Sequence, residues 1–379
     1  MLGGGLAGGS AALRLARAGL PVQLFEREAG PHDKVCGEFL SIEAQADLQA
    51  MGVDPTGLGA ISIDRVRVIG RGRTVEAPLP FTALGLSRRM LDEALLEAAQ
   101  RAGAEIHRGV KVTEVRRDAV STGIGTVRAA TILLASGKHD VRGAPRPATH
   151  IQDDHAGFKM HWRITARQDA EIGSAVELAL FDGGYAGLQR VADRVLNLCV
   201  IVRRERLSRG AGPWPDLLSS LMQLDHASRR LTDAEPLFSR PLTIARLPYG
   251  YIHSPSPEEA GLFRLGDQAA LTAPLTGDGM AIALRSAALA ATSVEAGCPA
   301  QDYTRRLRSV VSSQVRRAML LHRAAGVPAL TRASLSVLGL CPSLLGRIAA
   351  ATRLKADSGD RQASEVRRAV PEDSAITPL

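Results

Sequence analysis

The chain carries little that could cross-link it, anchor it across a bilayer or stack it on bases. Its four cysteines, Cys36, Cys199, Cys298 and Cys341, form no C-x-x-C pair, so neither a disulfide framework nor a structural zinc site is expected. A reducing cytoplasm suits them. No run approaches the roughly 20 apolar residues of a membrane-spanning helix, and no charged stretch leads into an apolar one at the N-terminus. The expectation is a soluble cytoplasmic protein with at most peripheral membrane contact. Aromatic residues make up only 3% of the chain, and lysine occurs only at Lys34, Lys111, Lys138, Lys159 and Lys355. The net charge of +8 is therefore an excess of arginine. It is spread without a basic block, and with so few rings a nucleic-acid partner is not expected. None of His139, His155 and His161 has a companion at triad or metal-ligand spacing, so no metal is expected either.

What the chain does have is glycine in ordered motifs. It opens MLGGGLAGGSAALRLARAGLPVQLFERE, where Gly3, Gly5 and Gly8 fit G-x-G-x-x-G. Leu6 to Ala18 is rich in Ala, Leu and Arg, with Gly19 at the place of a C-cap and Pro21 just beyond, so a helix is expected. VQLF then reads as a short buried strand ending at Glu26, with Arg27 beside it, about 20 residues after the glycines. A ribose-binding carboxylate belongs at that distance. In such a unit Gly3 permits the tight turn, Gly5 lets backbone approach a pyrophosphate, and Gly8 lets helix and sheet pack closely. The helix N-terminus adds N–H groups and partial positive charge. An unrelated turn before a helix is the competing explanation.

Ile61 to Val75 reads as a hairpin about a GRGR turn. SRRMLDEALLEAAQRAG reads as a helix with Leu91, Leu95, Ala98 and Ala99 on one stripe and Gly103 closing it. VKVTEV and ATILLAS read as short strands. Between Gly157 and Val202 the period changes to two: Phe158, Met160, Trp162 and Ile164 face one way, Lys159, His161 and Arg163 the other. AVELALF and VLNLCVIV continue this, so an antiparallel sheet is expected between pieces of an α/β domain. Helices follow around Leu217 to Leu231 and on to about residue 353, and the polar end from 355 to 379 reads as a mobile tail.

A second glycine motif stands about 260 residues after the first, in LFRLGDQAALTAPLTGDGMAIALRSAALAA. An apolar strand ends at Gly266 and Asp267, where a carboxylate can accept hydrogen bonds from sugar or ribityl hydroxyls. Pro274 to Gly279, with Gly277 between them, form another turn that opens a helix at about Met280. A helix N-terminus aimed at the N1 and C2 carbonyl of a flavin stabilises the negative charge of the reduced ring. Asp267 as an ordinary helix cap is the competing explanation.

Together the two motifs resemble those of the glutathione-reductase-type flavoproteins, in the branch of aromatic-ring hydroxylases, flavin-dependent halogenases and geranylgeranyl reductases. KVCGEFLS, SRRMLDEALLEAA, TILLASGKHDVRG, GGYAGLQRVADRVLNLCV and RLGDQAALTAPLTGDGMAIAL follow in that family's order up to about residue 350. The likeness is nearest to its geranylgeranyl-reductase-like members. It implies an α/β fold with a Rossmann-like FAD-binding domain at 1–60, 85–150 and 255–300. An antiparallel substrate domain is implied at 61–84 and 151–254, with C-terminal helices at 301–354. It places Gly3, Gly5 and Gly8 at the FAD pyrophosphate, Glu26 at the adenosine ribose, Arg88 beside the dinucleotide and Val112 against adenine through its backbone. Gly266 and Asp267 fall at the ribityl or pyrophosphate region. Cys36 and Gly37 fall near the isoalloxazine, as do Gly277, Gly279 and the helix start at Met280.

The activity implied is that of an FAD-dependent oxidoreductase acting on a small lipophilic substrate, unsaturated or aromatic. Double-bond reduction or dehydrogenation and hydroxylation through a flavin hydroperoxide are both open, with NAD(P)H or an electron-donor protein as the source of electrons. Ser136 stands where the hydroxylases carry the Asp of an Asp-Gly pair serving FAD and NADPH, which weighs against direct NADPH use. The halogenases' tryptophan motif is absent after the first glycines, which weighs against halogenation. No catalytic side chain is assigned, since the flavin itself takes or gives the hydride. Cys36 is either a redox-active or substrate-contacting thiol or a small residue packed under the loop.

One feature fits poorly. The motif normally follows a buried strand, yet only Met1 and Leu2 precede it. Loss of a central strand exposes apolar faces and leaves ladder bonds unmade. The pattern therefore predicts a natural start a few residues upstream or a clipped sequence, with impaired FAD affinity in a chain beginning at Met1. Two alternatives stand beside the flavoprotein reading. An NAD-dependent dehydrogenase using the first motif alone leaves Gly266, Asp267 and TGDGM unexplained, and a non-catalytic remnant has only the missing strand in its favour. An absorption spectrum separates the three.

Overall fold

The structure, a computed structural model, describes residues 1–147, 155–207 and 213–354; the tail expected at 355–379 lies outside the described residues. Its first three residues occupy the centre of a parallel sheet. Leu2 N donates to Leu133 O at 2.9 Å, and Ala135 N donates to Leu2 O at 2.9 Å. On the other side Gly3 N donates to Phe25 O at 2.9 Å, and Phe25 N to Met1 O at 3.0 Å. The strand order runs Leu262–Arg264, Ile132–Leu134, Leu2, Gln23–Glu26 and Glu105–Arg108, all parallel. The ladder bonds expected to be unmade are formed by a two-residue stub, because the neighbouring strands are themselves only three or four residues long.

Side chains alternate across this sheet as the pleat requires. Leu24, Leu133 and Leu265 pack with the helices Leu6–Arg17, Arg88–Arg101 and Gly279–Glu295. Leu2, Phe25, Ile132 and Leu134 turn the other way, onto Val115 and Val120 of a three-stranded antiparallel sheet, Val112–Val115, Ala119–Thr122 and Gly125–Arg128. Covered on both faces, the strands read as unbroken apolar runs. The expected fold class, a Rossmann-like α/β unit joined to an antiparallel sheet, is the one observed.

The second sheet has nine strands. Its order is Glu235–Pro236, His155–Arg163, Val195–Arg203, Gly184–Ala192, Ala175–Phe181, Ile61–Gly70, Arg73–Gly85 and Phe39–Leu40, with Leu242–Ala245 also paired to His155–Arg163. All pairings are antiparallel except Ala175–Phe181 on Ile61–Gly70, which joins an early hairpin to the later strands. That hairpin turns at Arg71 and Gly72, with φ of 50° and 73°, as a two-residue turn between right-twisted strands requires. Phe158, Met160, Trp162 and Ile164 pack with Leu196, Leu198, Leu217 and Leu221 under the helix Pro213–Met222. The opposite face of the same strands is turned toward the parallel domain. Helices Ala300–Ala325, Pro328–Leu340 and Ser343–Ala351 follow, the last two bent by 117° to one another.

Candidate functional site

Gly5 caps the first helix with extended backbone, no side-chain cap bond and no acid in the first turn. The leading N–H groups are thus left for an external anion. Gly3 has φ of 101°, and a Cβ there would stand 2.5 Å from Ala135 O; one on Gly8 would stand 1.8 Å from Gly3 O. Only glycine lets these three backbone segments meet. Glu26 is buried, accepting from Gly4 N at 2.6 Å and Glu28 N at 3.0 Å. Arg27 is exposed and pairs with Glu28 at 3.1 Å.

Two cations face Gly5. Lys34 Nζ and Arg88 Nη2 each lie 3.2 Å from where its Cβ would be. Both hold Asp92, Lys34 at 2.9 Å and Arg88 through Nε at 2.8 Å and Nη2 at 2.9 Å. Burial opposes the charged carboxylate, but Arg88 and Lys34 outweigh it and hold the Asp92 carboxyl below its usual range. Two cations on one carboxylate leave net positive charge beside the helix N-terminus, the setting a pyrophosphate needs.

The second motif packs against the first. Gly266, at φ of 58°, would carry a Cβ 3.2 Å from that of Ala7, and its N–H donates to Ser286 Oγ at 2.8 Å. Asp267 pairs with Lys138 at 3.1 Å; burial would lower the Lys138 pKa, but Asp267 raises it. Gly277 is left-handed, with φ of 72°, and would place a Cβ 2.7 Å from the Phe39 ring. Gly279 opens the helix Gly279–Glu295 in free space, and Met280 behind it is buried. Between them, burial pushes the Asp278 carboxyl up to about 6 against the pull of Arg353, 2.8 Å away. Arg353 also donates to Thr276 O and lies over the rings of Phe39 and Phe81.

The loop carrying Cys36 and Gly37 is tied to the polar face of the large sheet. Asn197 Nδ2 donates to Gly37 O at 2.8 Å and Cys36 O at 3.1 Å, and Gln189 Nε2 donates to Glu38 O at 2.7 Å. Glu38 is fully buried at φ of 62°, bonded by Lys159 Nζ, by His161 Nε2 at 2.7 Å and by Arg88 N at 2.8 Å. Burial raises its pKa, but Lys159 and His161 outweigh that and hold it below the usual range. Asp33, Glu38 and His161 converge as metal ligands could. Lys159, 3.6 Å from Asp33 and touching Glu38, already holds the cation's place. Cys36 Sγ accepts from Glu38 N at 3.3 Å, and burial pushes the nearby Cys199 thiol up to about 12.

Every residue assigned from the motifs except Gly8 lines one cavity of about 730 Å³, Val112 included. Gly8 sits behind Gly3. The cavity has two characters. Glycines, Lys34, Lys138 and Arg88 form one end, and Val66, Val68, Leu178, Leu338, Leu345 and Ile348 form the other. Motif reading missed Lys34, Glu38, Lys138, Lys159 and Arg353. Lysine scarcity was a usable signal, since Lys34, Lys111 and Lys138 line the cavity and Lys159 underlies it.

No family model matches the chain. It is 29% identical over 317 residues to a menaquinone reductase of Mycolicibacterium smegmatis, covering 78% of this chain and 76% of that protein. It is 26% identical over 309 residues to a menaquinone reductase of Mycobacterium tuberculosis, covering 77% and 74%. Among solved structures, the flavin-dependent brominase Bmp2 superposes with a TM-score of 0.74 at 18% identity, over 97% of this chain and 98% of that one. Both of these sequence relatives are menaquinone reductases, and the finer likeness to geranylgeranyl reductases has no counterpart in their names. Fold, cradle and relatives point to one class, the FAD-dependent oxidoreductases.

Proposed function

We propose that this chain is an FAD-dependent oxidoreductase that reduces a double bond in a lipophilic unsaturated substrate. The observation that carries the reading is a continuous cavity whose cationic, glycine-lined end runs into an apolar end. FAD supplies hydride transfer when bound, and the protein supplies position and electrostatics. The amide end of the first helix, with Gly3, Gly5, Lys34 and Arg88, would hold the pyrophosphate, and Glu26 a ribose hydroxyl. Asp267, fixed by Lys138, would take the ribityl chain. The backbone at Cys36–Gly37 and Gly277–Gly279 would bracket the ring. Val66, Val68, Leu178 and Leu338 exclude water and accept an apolar chain. The reductase relatives support this reaction. Ring hydroxylation is a second reading, favoured by a halogenase of like fold in complex with phloroglucinol and FAD, with a TM-score of 0.69. NAD(P)H or an electron-donor protein would supply the electrons.

The purified protein should show flavin absorption bands or acquire them on FAD titration. Reduced anaerobically with NADH, NADPH or a ferredoxin and given a polyprenyl naphthoquinone, it should yield a product that is still heavier by two hydrogens after its ring has been reoxidised from quinol to quinone in air. A phenol heavier by one oxygen in air would favour the second reading. A colourless protein that refuses FAD overturns both.

A further inference from the structure

The net positive charge of the chain falls within one stretch of sequence, although its arginines are dispersed there and form no contiguous block. Between residues 303 and 354 there are nine arginines and no Asp or Glu, against 47 basic and 39 acidic residues in the whole chain. All of the +8 excess therefore lies in this stretch. The same stretch holds the exposed aliphatic side chains Leu320, Val327, Leu330, Val337, Leu340 and Ile348, with Leu340 at 89% exposure. These are six of the eleven large exposed hydrophobics among the described residues. Four of them, Leu330, Val337, Leu340 and Ile348, lie on the bent pair Pro328–Leu340 and Ser343–Ala351, which is apolar enough in composition to enter a bilayer although no single helix among the described residues is long and apolar enough to cross one.

The bent pair is two-sided. Leu335 and Leu345 pack on Val66, Val68 and Val75 of the hairpin, and Thr331, Ser334, Leu338 and Leu345 line the apolar end of the cavity. The outer side carries Leu330, Val337 and Leu340, with Arg332 and Arg347 exposed among them. From residue 304 to 354 there is no Phe, Tyr or Trp. Protein interfaces are enriched in aromatics, whereas aliphatic side chains flanked by arginine are what the boundary between headgroups and acyl chains of an anionic membrane accepts.

We propose that the corner Pro328–Ala351 docks on an anionic lipid bilayer, its leucines and valines entering the acyl boundary and its arginines meeting lipid phosphates. The end of the cavity that this pair lines would then lie next to the lipid phase. Delivery of substrate from lipid rests on the lipophilic substrate proposed above; the docking itself does not.

Sedimentation with phosphatidylcholine vesicles, with and without phosphatidylglycerol, tests this on the FAD-loaded protein. The wild type should pellet with the anionic vesicles and be released by salt. Leu330→Asp with Leu340→Asp should lower partitioning at least tenfold. Arg332→Ser and Arg347→Ser should each lower it about fivefold, from about 1 kcal/mol per basic residue at such a surface. All four positions are exposed and line no part of the cavity, so flavin spectrum, melting temperature and turnover of a short soluble substrate should not change. The proposal is overturned if the wild type stays in the supernatant, if it binds neutral and anionic vesicles equally, or if the leucine variants pellet like wild type. It is also overturned if a purified acidic carrier protein, and no vesicle, binds this face. Failure of docking with turnover of lipophilic substrate in detergent intact would leave the proposed reaction standing.

Discussion

Replacing Gly279 with alanine distinguishes a cofactor cradle from an ordinary helix start. Gly279 is the first residue of its helix, φ there is not left-handed, and a Cβ meets nothing within 4 Å. In the apoprotein the substitution should stabilise the fold by about 0.4–1 kcal/mol, because alanine restricts the unfolded chain. Gly279 also lines the cavity, at the point where the proposed function would put the ring. A cofactor held there would leave the added methyl no room, and such overpacking costs about 1–3 kcal/mol. At 1.36 kcal/mol per tenfold, FAD should bind roughly fivefold to a hundredfold more weakly. The assay is a pair of measurements on the flavin-stripped variant: thermal unfolding without FAD, and titration of FAD by quenching of its fluorescence. A raised or unchanged melting temperature with weakened FAD binding is expected. FAD binding equal to wild type would refute the placement of the ring against this helix.

Three further outcomes follow from the same structure. Gly8→Ala should destabilise apoprotein and holoprotein alike, since its Cβ falls 1.8 Å from Gly3 O and overpacking of this kind costs about 1–3 kcal/mol or more; circular dichroism melts of both forms decide it. Glu38→Gln should cost about 3–5 kcal/mol, because it strands the buried ammonium of Lys159. Adding Lys159→Met should recover part of that loss in denaturant titrations, whereas additive losses would show that the pair is not coupled. Glu177 is fully buried; burial opposes its charge, but His226 and Arg230 lower its pKa to about 2 from 4.5. A depressed carboxyl stabilises the fold above its unfolded pKa, so about 3 kcal/mol should be lost as pH falls from about 4.5 toward 2, and Glu177→Gln should flatten that part of the stability curve.

Features written in short-range pattern were legible. The helix at Leu6–Arg17 showed itself by composition and Gly19, and the alternation of Phe158, Met160, Trp162 and Ile164 marked the inner face of the antiparallel sheet. The glycines were legible because close backbone approach admits no other residue. What stayed hidden was partnership over distance. Lys34 meets Asp92 across 58 positions, Lys159 meets Glu38 across 121 and Arg353 meets Thr276 across 77, and no local period reports such pairs. The burial of Lys159 and His161 was hidden for the same reason: their polar alternation looks like a solvated face until the loop of Glu38 covers it. The place of Leu2 in the parallel sheet was hidden as well, because so short a stretch carries no period and its bonds to Leu133 and Ala135 reach across more than 130 positions.

Arg353 couples the two ends of the cavity. It leaves the last helical segment, on the side where an apolar chain would enter, and grips Thr276 and Asp278 on the turn that opens the later glycine helix. A guest that prises the helical roof outward must pull this guanidinium with it. Burial already pushes the Asp278 carboxyl up to about 6, and Arg353 is the counter-charge that pulls it back down. The turn ahead of the later glycine helix is thus fastened to the roof of the apolar end through one side chain.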